Sequence, residues 1–210
     1  MRAVTPLLLA LGLTLSIPSM AATPGDNAEL AALYEADQAA RRQPSIDWPR
    51  LNAEDGIRRA RVRAIMAGGG LRSAADHHHA AMVFQHGDTL EDYRLAFALA
   101  TMAAAIGPDY PRARWLSAAA FDRMLMSRLA PQWYGTQYRS DSQGMYLYPV
   151  DAEAVTDAER EAMGVPTLAA SQARVAEGAE RLGMPVRTSA PTLEALRAER
   201  AAATAGKAIE

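Results

Sequence analysis

Apolar positions recur at helical spacing along most of this chain, and Gly, Pro and capping residues mark where each run starts and stops. The spacing predicts a first helix over Asp26 to Gln43, whose stripe runs through Leu30, Leu33, Tyr34, Asp37 and Arg41. Asp37 thus falls where a further apolar residue belongs. Asp47 is a suitable N-cap for a second helix with Pro49 in its first turn, and Leu51, Asp55, Arg58, Val62, Ile65 and Met66 share one face of it. Gly68-Gly69-Gly70 ends that helix and is no phosphate loop, since no Gly-Lys-Ser/Thr follows it. Ser73 caps a third helix, Ala74 to His86, closed by Gly87. Thr89 opens a fourth, which stops at Gly107-Pro108, and Asp109 and Pro111 open a fifth. The fifth helix carries Trp115, Ala118, Asp122, Leu125, Met126 and Leu129 on one stripe, and the alanine-rich fourth can pack closely against it.

The periodicity then breaks at Pro131-Gln132-Trp133-Tyr134-Gly135-Thr136-Gln137-Tyr138. Two glutamines, two tyrosines, a threonine and a tryptophan are unusual in a plain connector. One reading is a recognition loop lining a pocket. The other is a β-strand paired with Tyr146-Leu147-Tyr148 across Arg139 to Gly144, because Trp, Tyr and Thr favour strands. After it, Thr156-Asp157-Ala158-Glu159 is a capping box for a short helix ending near Gly164, and Thr167 to Leu182 is amphipathic. From Thr192 the chain is poor in large apolar residues, which predicts a solvated helix or a frayed tail. No segment repeats at a fixed period. The pattern gives a mainly α fold: one domain of packed antiparallel helices over 26–168 with a small hairpin after the fifth helix, then a helix and partly flexible tail over 169–210.

Composition changes this picture chiefly at the N-terminus. Arg2, the apolar run Leu7 to Ile17 and the small residues Ser19 and Ala21 form a secretory signal over residues 1–21, too short for a comfortable membrane span. An uncleaved anchor is the alternative; a lipoprotein anchor is not, for want of cysteine. The mature chain of about 190 residues can bury a core without disulfides, and a cysteine-free exported chain suits a bacterial periplasm or exterior. With 22 Lys and Arg against 24 Asp and Glu, the charge is close to balance. That argues against nucleic acid, and against membrane once the signal is removed, because both need a basic patch.

Candidate chemistry centres on charges in apolar stripes. Asp122 needs an opposite charge or several hydrogen bonds if it faces the core, and Arg123, Arg41, His79 or His86 are its candidate partners. All four histidines, His77, His78, His79 and His86, lie on one helix. His79 and His86 are seven residues apart, roughly 10 Å along the axis, too far to share a metal ion. Asp76 and His79 have metal-ligand spacing but form too small a set, so no metal is predicted. His86 is the better candidate for proton transfer. No Gly-x-Ser-x-Gly elbow and no nucleotide fingerprint occur, so no serine nucleophile and no cofactor is predicted.

Taken together, Asp37-Gln38 with Arg41, Gln85-His86-Gly87-Asp88, Asp122-Arg123 and Pro131-Gln132-x-Tyr134-Gly135-Thr136-Gln137 resemble a bacterial family known only as a domain of unknown function. Val150-Asp151, Arg160 and Gly164-Val165-Pro166 resemble that family's end, so the likeness covers Leu30 to Leu168. Gly87 stands where alanine is expected as often, and Glu161-Ala162 lengthens the segment after Arg160. The resemblance implies positions but no reaction. The sequence therefore predicts an exported domain that binds a polar small molecule, peptide or protein through Asp37, Gln38, Arg41, Arg123, Gln132, Tyr134, Thr136 and Gln137. The alternatives are a hydrolase using His86 and Asp122 as acid and base, and a polar cluster that only locks helices together.

Overall fold

A computed structural model describes residues 25–207; the expected signal segment lies outside them. Among the described residues the protein is mainly α, with eight helices and one two-stranded hairpin. Helix α1 spans Ala28–Arg41, and its N-cap Asn27 accepts from the Leu30 amide. Helix α2, Trp48–Ala67, is capped by Asp47 and carries Pro49 in its first turn. Helix α3, Ala74–Gln85, starts with a full capping box between Ser73 and Asp76. Helix α4, Leu90–Ile106, is capped by Thr89 and stopped by Gly107. These caps satisfy backbone N–H groups that the helices themselves cannot.

Helix α3 lies in the middle of the bundle, packed by α1, α2, α4 and α5 (Ala113–Ser127), which explains why it is buried almost all round. Alanines 80, 81, 96, 100, 103, 119 and 120 are all buried, and their small side chains let α3, α4 and α5 approach closely around Phe84, Leu116, Leu30 and Val62. Helix α5 begins later than expected. Asp109, Tyr110 and Pro111 form turns instead, and Arg112 takes a left-handed φ of 62° before the first helical residue.

The hairpin also differs from expectation. Strand β1 is Tyr138–Asp141 and β2 is Gly144–Leu147, with Tyr138 opposite Leu147 and Ser142-Gln143 at the turn. Pro131 to Gln137 is not a strand. The amides of Trp133, Tyr134, Thr136 and Gln137 are bonded by side chains of Asp122 and Gln132, so they are not available to a ladder. The other edge of β2 is covered by the segment around Val186: Met145 donates to the Pro185 carbonyl and Arg187 donates back to Met145. That close approach uses Gly144, at φ 127°, where a Cβ would stand 2.3 Å from the Pro185 oxygen.

Helix α6 (Asp157–Ala162) has the capping box read from Thr156 and Glu159. Helix α7 (Leu168–Leu182) packs against β2, with Gly178 facing Met145. Helix α8 (Leu193–Lys207) rests on the body through half-buried Leu193 and Leu196. Arg197 and Arg200 donate to the carbonyls of Leu129 and Ser127 at the C-terminal end of α5, where a helix presents unpaired acceptors. No helix among the described residues is long and apolar enough to cross a membrane.

His78 marks a pH-sensitive spot in this packing. It is buried against Tyr34, His79 and Tyr110, and neither ring nitrogen has a partner. Burial, then the nearby charges of His79 and Arg112, lower its pKa to about 4. The folded state therefore holds the ring neutral, and its contribution is complete above the ordinary histidine pKa and lost as pH falls toward 4. On this shift, His78 accounts for on the order of 3 kcal/mol of acid destabilisation. Urea unfolding at pH 7 and pH 4 should show His78→Phe gaining most of that amount relative to wild type at the lower pH only; an equal difference at both would contradict the assignment.

Candidate functional site

Asp122 organises the irregular segment after α5. Its carboxylate is fully buried and accepts four hydrogen bonds: from the amides of Trp133 and Tyr134 at 2.9 and 3.0 Å, and from the amide and hydroxyl of Thr136 at 3.0 and 2.8 Å. Burial pushes its pKa up while these donors oppose the shift. Gln132, also fully buried, does the same work from inside the loop. Its Nε2 donates to the carbonyls of Gln137 and Tyr148, and its Oε1 accepts from the Gln137 amide. Gln137 Nε2 donates to the Ala119 carbonyl and to Thr136 Oγ1. Pro149 and Asp151 bracket Gln132 with two backbone bonds, and Arg160 holds the Trp133 carbonyl at 3.0 Å. Asp122, Gln132 to Gln137, Asp151 and Arg160 thus converge on one closed clasp.

This geometry corrects part of the expectation. Gln132, Thr136 and Gln137 direct their polar groups inward and are not free to meet a ligand; the Tyr134 hydroxyl and the Trp133 indole N–H make no hydrogen bond among the described residues. Asp122 makes no hydrogen bond to His86. Its four acceptor positions are occupied by the loop, which leaves it no capacity to exchange a proton with a substrate.

The partner of His86 is Asp37. His86 forms the C-cap of α3, and its Nδ1 lies 3.0 and 2.9 Å from the two oxygens of the fully buried Asp37 carboxylate. The carboxylate can only accept, so Nδ1 carries the proton. Nε2 is then a free acceptor, with no partner among the described residues. Asp37 also accepts from Arg41 Nη1 and Gln38 Nε2, both at 2.8 Å. Arg41 continues to Asp55 at 2.5 Å, and Asp55 accepts from Arg58 at 2.9 Å. A chain of alternating charges therefore ties α1, α2 and the end of α3 together. Burial lowers the His86 pKa against the opposing hydrogen bond and charge of Asp37, and Arg41 and Arg123 lower it further, so the ring is neutral at neutral pH.

Arg123 stands beside this pair. Its Nε donates to Gln137 Oε1 at 3.1 Å and its Nη1 to the Gln85 carbonyl at 3.0 Å, which fixes the guanidinium plane. No carboxylate bonds it among the described residues. Burial lowers its pKa, Tyr93 opposes the shift, and the like charges of Arg139 and Arg41 add to it. Tyr93 has its ring 5.7 Å from the guanidinium carbon and its hydroxyl on the Gly87 carbonyl at 2.8 Å. Tyr93 and Asp88 also line a cavity of about 600 Å³ that reaches Arg139, Tyr148 and α8. Gly87 is a tight fit here: a Cβ would stand 2.4 Å from that of Asp92, so alanine requires the start of α4 to move.

The structure thus joins Asp37, Gln38, Arg41, His86 and Arg123 on one face, and puts Asp122, Gln132, Thr136 and Gln137 behind it as scaffolding. Sequence reasoning missed Tyr93, and it placed Asp55 and Arg58 on a helix face without joining them to the cluster. Their signal was available, as two charges three residues apart within an apolar stripe. No family model, curated protein or solved structure matches this chain.

Asp122→Asn should lower unfolding free energy by about 2–4 kcal/mol, because an amide N–H₂ then faces buried donors. Thr136→Val, which removes one of four donors, should lower it by about 1 kcal/mol. Urea titration of both variants checks the ratio, and an Asp122→Asn loss below that of Thr136→Val would contradict the clasp.

Proposed function

We propose that this protein is an exported domain that binds a polar ligand, a small molecule or a peptide, on the face formed by His86 and Arg123. The single observation that carries this reading is the unpaired polarity of two fixed side chains. His86 offers a free acceptor at Nε2, and Arg123 offers guanidinium donors with no carboxylate against them. A half-buried cation without a counter-charge is costly, and groups of this kind concentrate where a ligand supplies the missing charge or dipole. An amide or a carboxylic acid derivative has both complements, an N–H or O–H for Nε2 and a carbonyl oxygen for the guanidinium. Gln38 and Arg41 hold Asp37, and Asp37 holds the imidazole, so little ordering is needed on binding.

The Asp37–His86 pair supports a second reading, in which the bound molecule is hydrolysed. Asp37 fixes the tautomer that makes Nε2 a base, and a neutral ring at neutral pH is the competent form. His86 would then activate a water against a carbonyl oriented by Arg123. The Asp122 role expected from sequence passes to Asp37 in this reading, as orienting group and not as acid.

His86→Ala leaves Asp37 bonded to Arg41 and Gln38, so its unfolding free energy should stay within about 1 kcal/mol of wild type, or rise. A loss above about 3 kcal/mol would mean that His86 is a structural strut. A thermal-shift screen of amino acids, short peptides and small carboxylic acids should give hits with wild type that vanish in His86→Ala and Arg123→Met. Hits retained in both variants would refute the site. Affinity, or hydrolysis of a peptide or ester if it occurs, should be flat above the ordinary histidine pKa. It should fall on acidification through the depressed His86 pKa, because protonation removes the Nε2 lone pair.

A further inference from the structure

The Asp122 clasp has a second side. Gly135 and Thr136 border a cavity of about 540 Å³ between the start of α5 and one face of α7. Helix α7 supplies Ser171, Arg174, Gly178 and Arg181, whose spacing puts them on one face, and α5 supplies Arg112 and Trp115. Three arginines therefore line the cavity. None of their guanidinium groups makes an ion pair or hydrogen bond among the described residues. Glu177 is the one acid in the lining, which leaves a surplus of two positive charges. Arg112 is held in place: its guanidinium carbon lies 4.3 Å from the centre of the Trp115 ring.

Ser171 adds a hydroxyl to the same lining. It is only 1 % exposed, and its Oγ makes no hydrogen bond among the described residues. The residue is held in register by the Tyr138 hydroxyl, which donates to its carbonyl at 2.9 Å. Gly135 brings the clasp so close that a Cβ there would stand 3.8 Å from Ser171 Oγ. The first turn of α5, next to Arg112, has no capping side chain, so its partial positive charge adds to the same cavity.

We propose that this cavity binds a phosphate monoester, with its dianionic phosphoryl group among Arg112, Arg174, Arg181 and the Ser171 hydroxyl. A phosphoryl group brings the two negative charges that the lining lacks and several acceptor oxygens for guanidinium, hydroxyl and amide donors. The cavity exceeds a phosphate ion in size, which leaves room for the ester's organic part beside Trp115. This cavity shares no lining residue with the cluster of Asp37, Gln38, Arg41, His86 and Arg123, and the proposal does not depend on the function proposed above.

The test is calorimetric titration of the folded chain with phenyl phosphate, inorganic phosphate and malonate, in chloride at constant ionic strength. Phenyl phosphate should bind saturably and more tightly than inorganic phosphate, and His86→Ala, which lacks the face proposed for carboxylic acids, should bind it at least tenfold more tightly than malonate. The double variant Arg174→Gln/Arg181→Gln should weaken phenyl phosphate at least tenfold, and Ser171→Ala several-fold. Both arginines are exposed, so the melting temperature without ligand should not change. His86→Ala should bind phenyl phosphate as wild type does, which separates this site from the His86 face. Absence of saturable phenyl phosphate binding, malonate binding to His86→Ala as tight as that of phenyl phosphate, or undiminished binding by the double variant would overturn the proposal.

Discussion

The fully buried carboxylate of Asp122 is the constraint on which the irregular half of the molecule rests. A charge in that position is tolerable only with a full set of donors, and the chain supplies them by folding Trp133 to Thr136 around it. The path of the loop between α5 and the hairpin follows from that requirement. Gln132 and Gln137 lock the loop from within, and the hairpin starts where the loop's own amides cease to be occupied. Arg160 ties α6 to the loop through the Trp133 carbonyl. The next residue along α5 then carries the constraint to the bundle, since Arg123 bonds both Gln137 of the loop and Gln85 at the end of α3.

Two kinds of polar burial follow, and they have different meanings. The Asp122 clasp is closed: its carboxylate and both carboxamides are bonded within the protein, as expected of a device that specifies a conformation. The Asp37 network is open at one end. It is anchored through Arg41, Asp55 and Arg58 along α2, but it terminates at His86, whose second nitrogen makes no hydrogen bond among the described residues. An open end beside an uncompensated guanidinium is poor engineering for stability alone. That contrast, between a saturated carboxylate and an unsaturated imidazole some helices away, supports the proposal that the clasp is scaffold and the His86 face a site.

Much of the helical frame was legible in the sequence, because caps and stops are local. Asp47, Ser73, Thr89, Thr156 and Gly107 act within a few residues of where they stand, and each marks a real boundary. The burial of Asp37 and Asp122 was legible too, since a helix stripe fixes which way a side chain faces. Partner choice was not. Asp37 and His86 are 49 positions apart, and nothing in local pattern distinguishes Asp122 from Asp37 as the mate of that imidazole. The strand reading of Pro131 to Gln137 failed for the same reason. β-propensity describes what a side chain prefers on a sheet, whereas the fate of these amides was decided by a carboxylate one helix earlier in the chain.

The clasp also determines what the two faces of the molecule can have in common. Gly135 and Thr136 border the arginine-lined cavity, Thr136 Oγ1 donates to Asp122 and accepts from Gln137, and Gln137 holds Arg123 beside His86. These groups form one hydrogen-bonded body, in which no member is free to turn without leaving a buried donor or acceptor unpaired, at a cost of about 1–3 kcal/mol each. A loop built this way is stiff. It walls the arginine-lined cavity on one side and, through Gln137, braces Arg123 on the other. The same stiffness explains why the chain uses carboxamides and a carboxylate where apolar side chains would fill the space. Apolar packing would bury the segment without choosing its conformation, while Gln132, Gln137 and Asp122 together admit only one path for the backbone between α5 and β1.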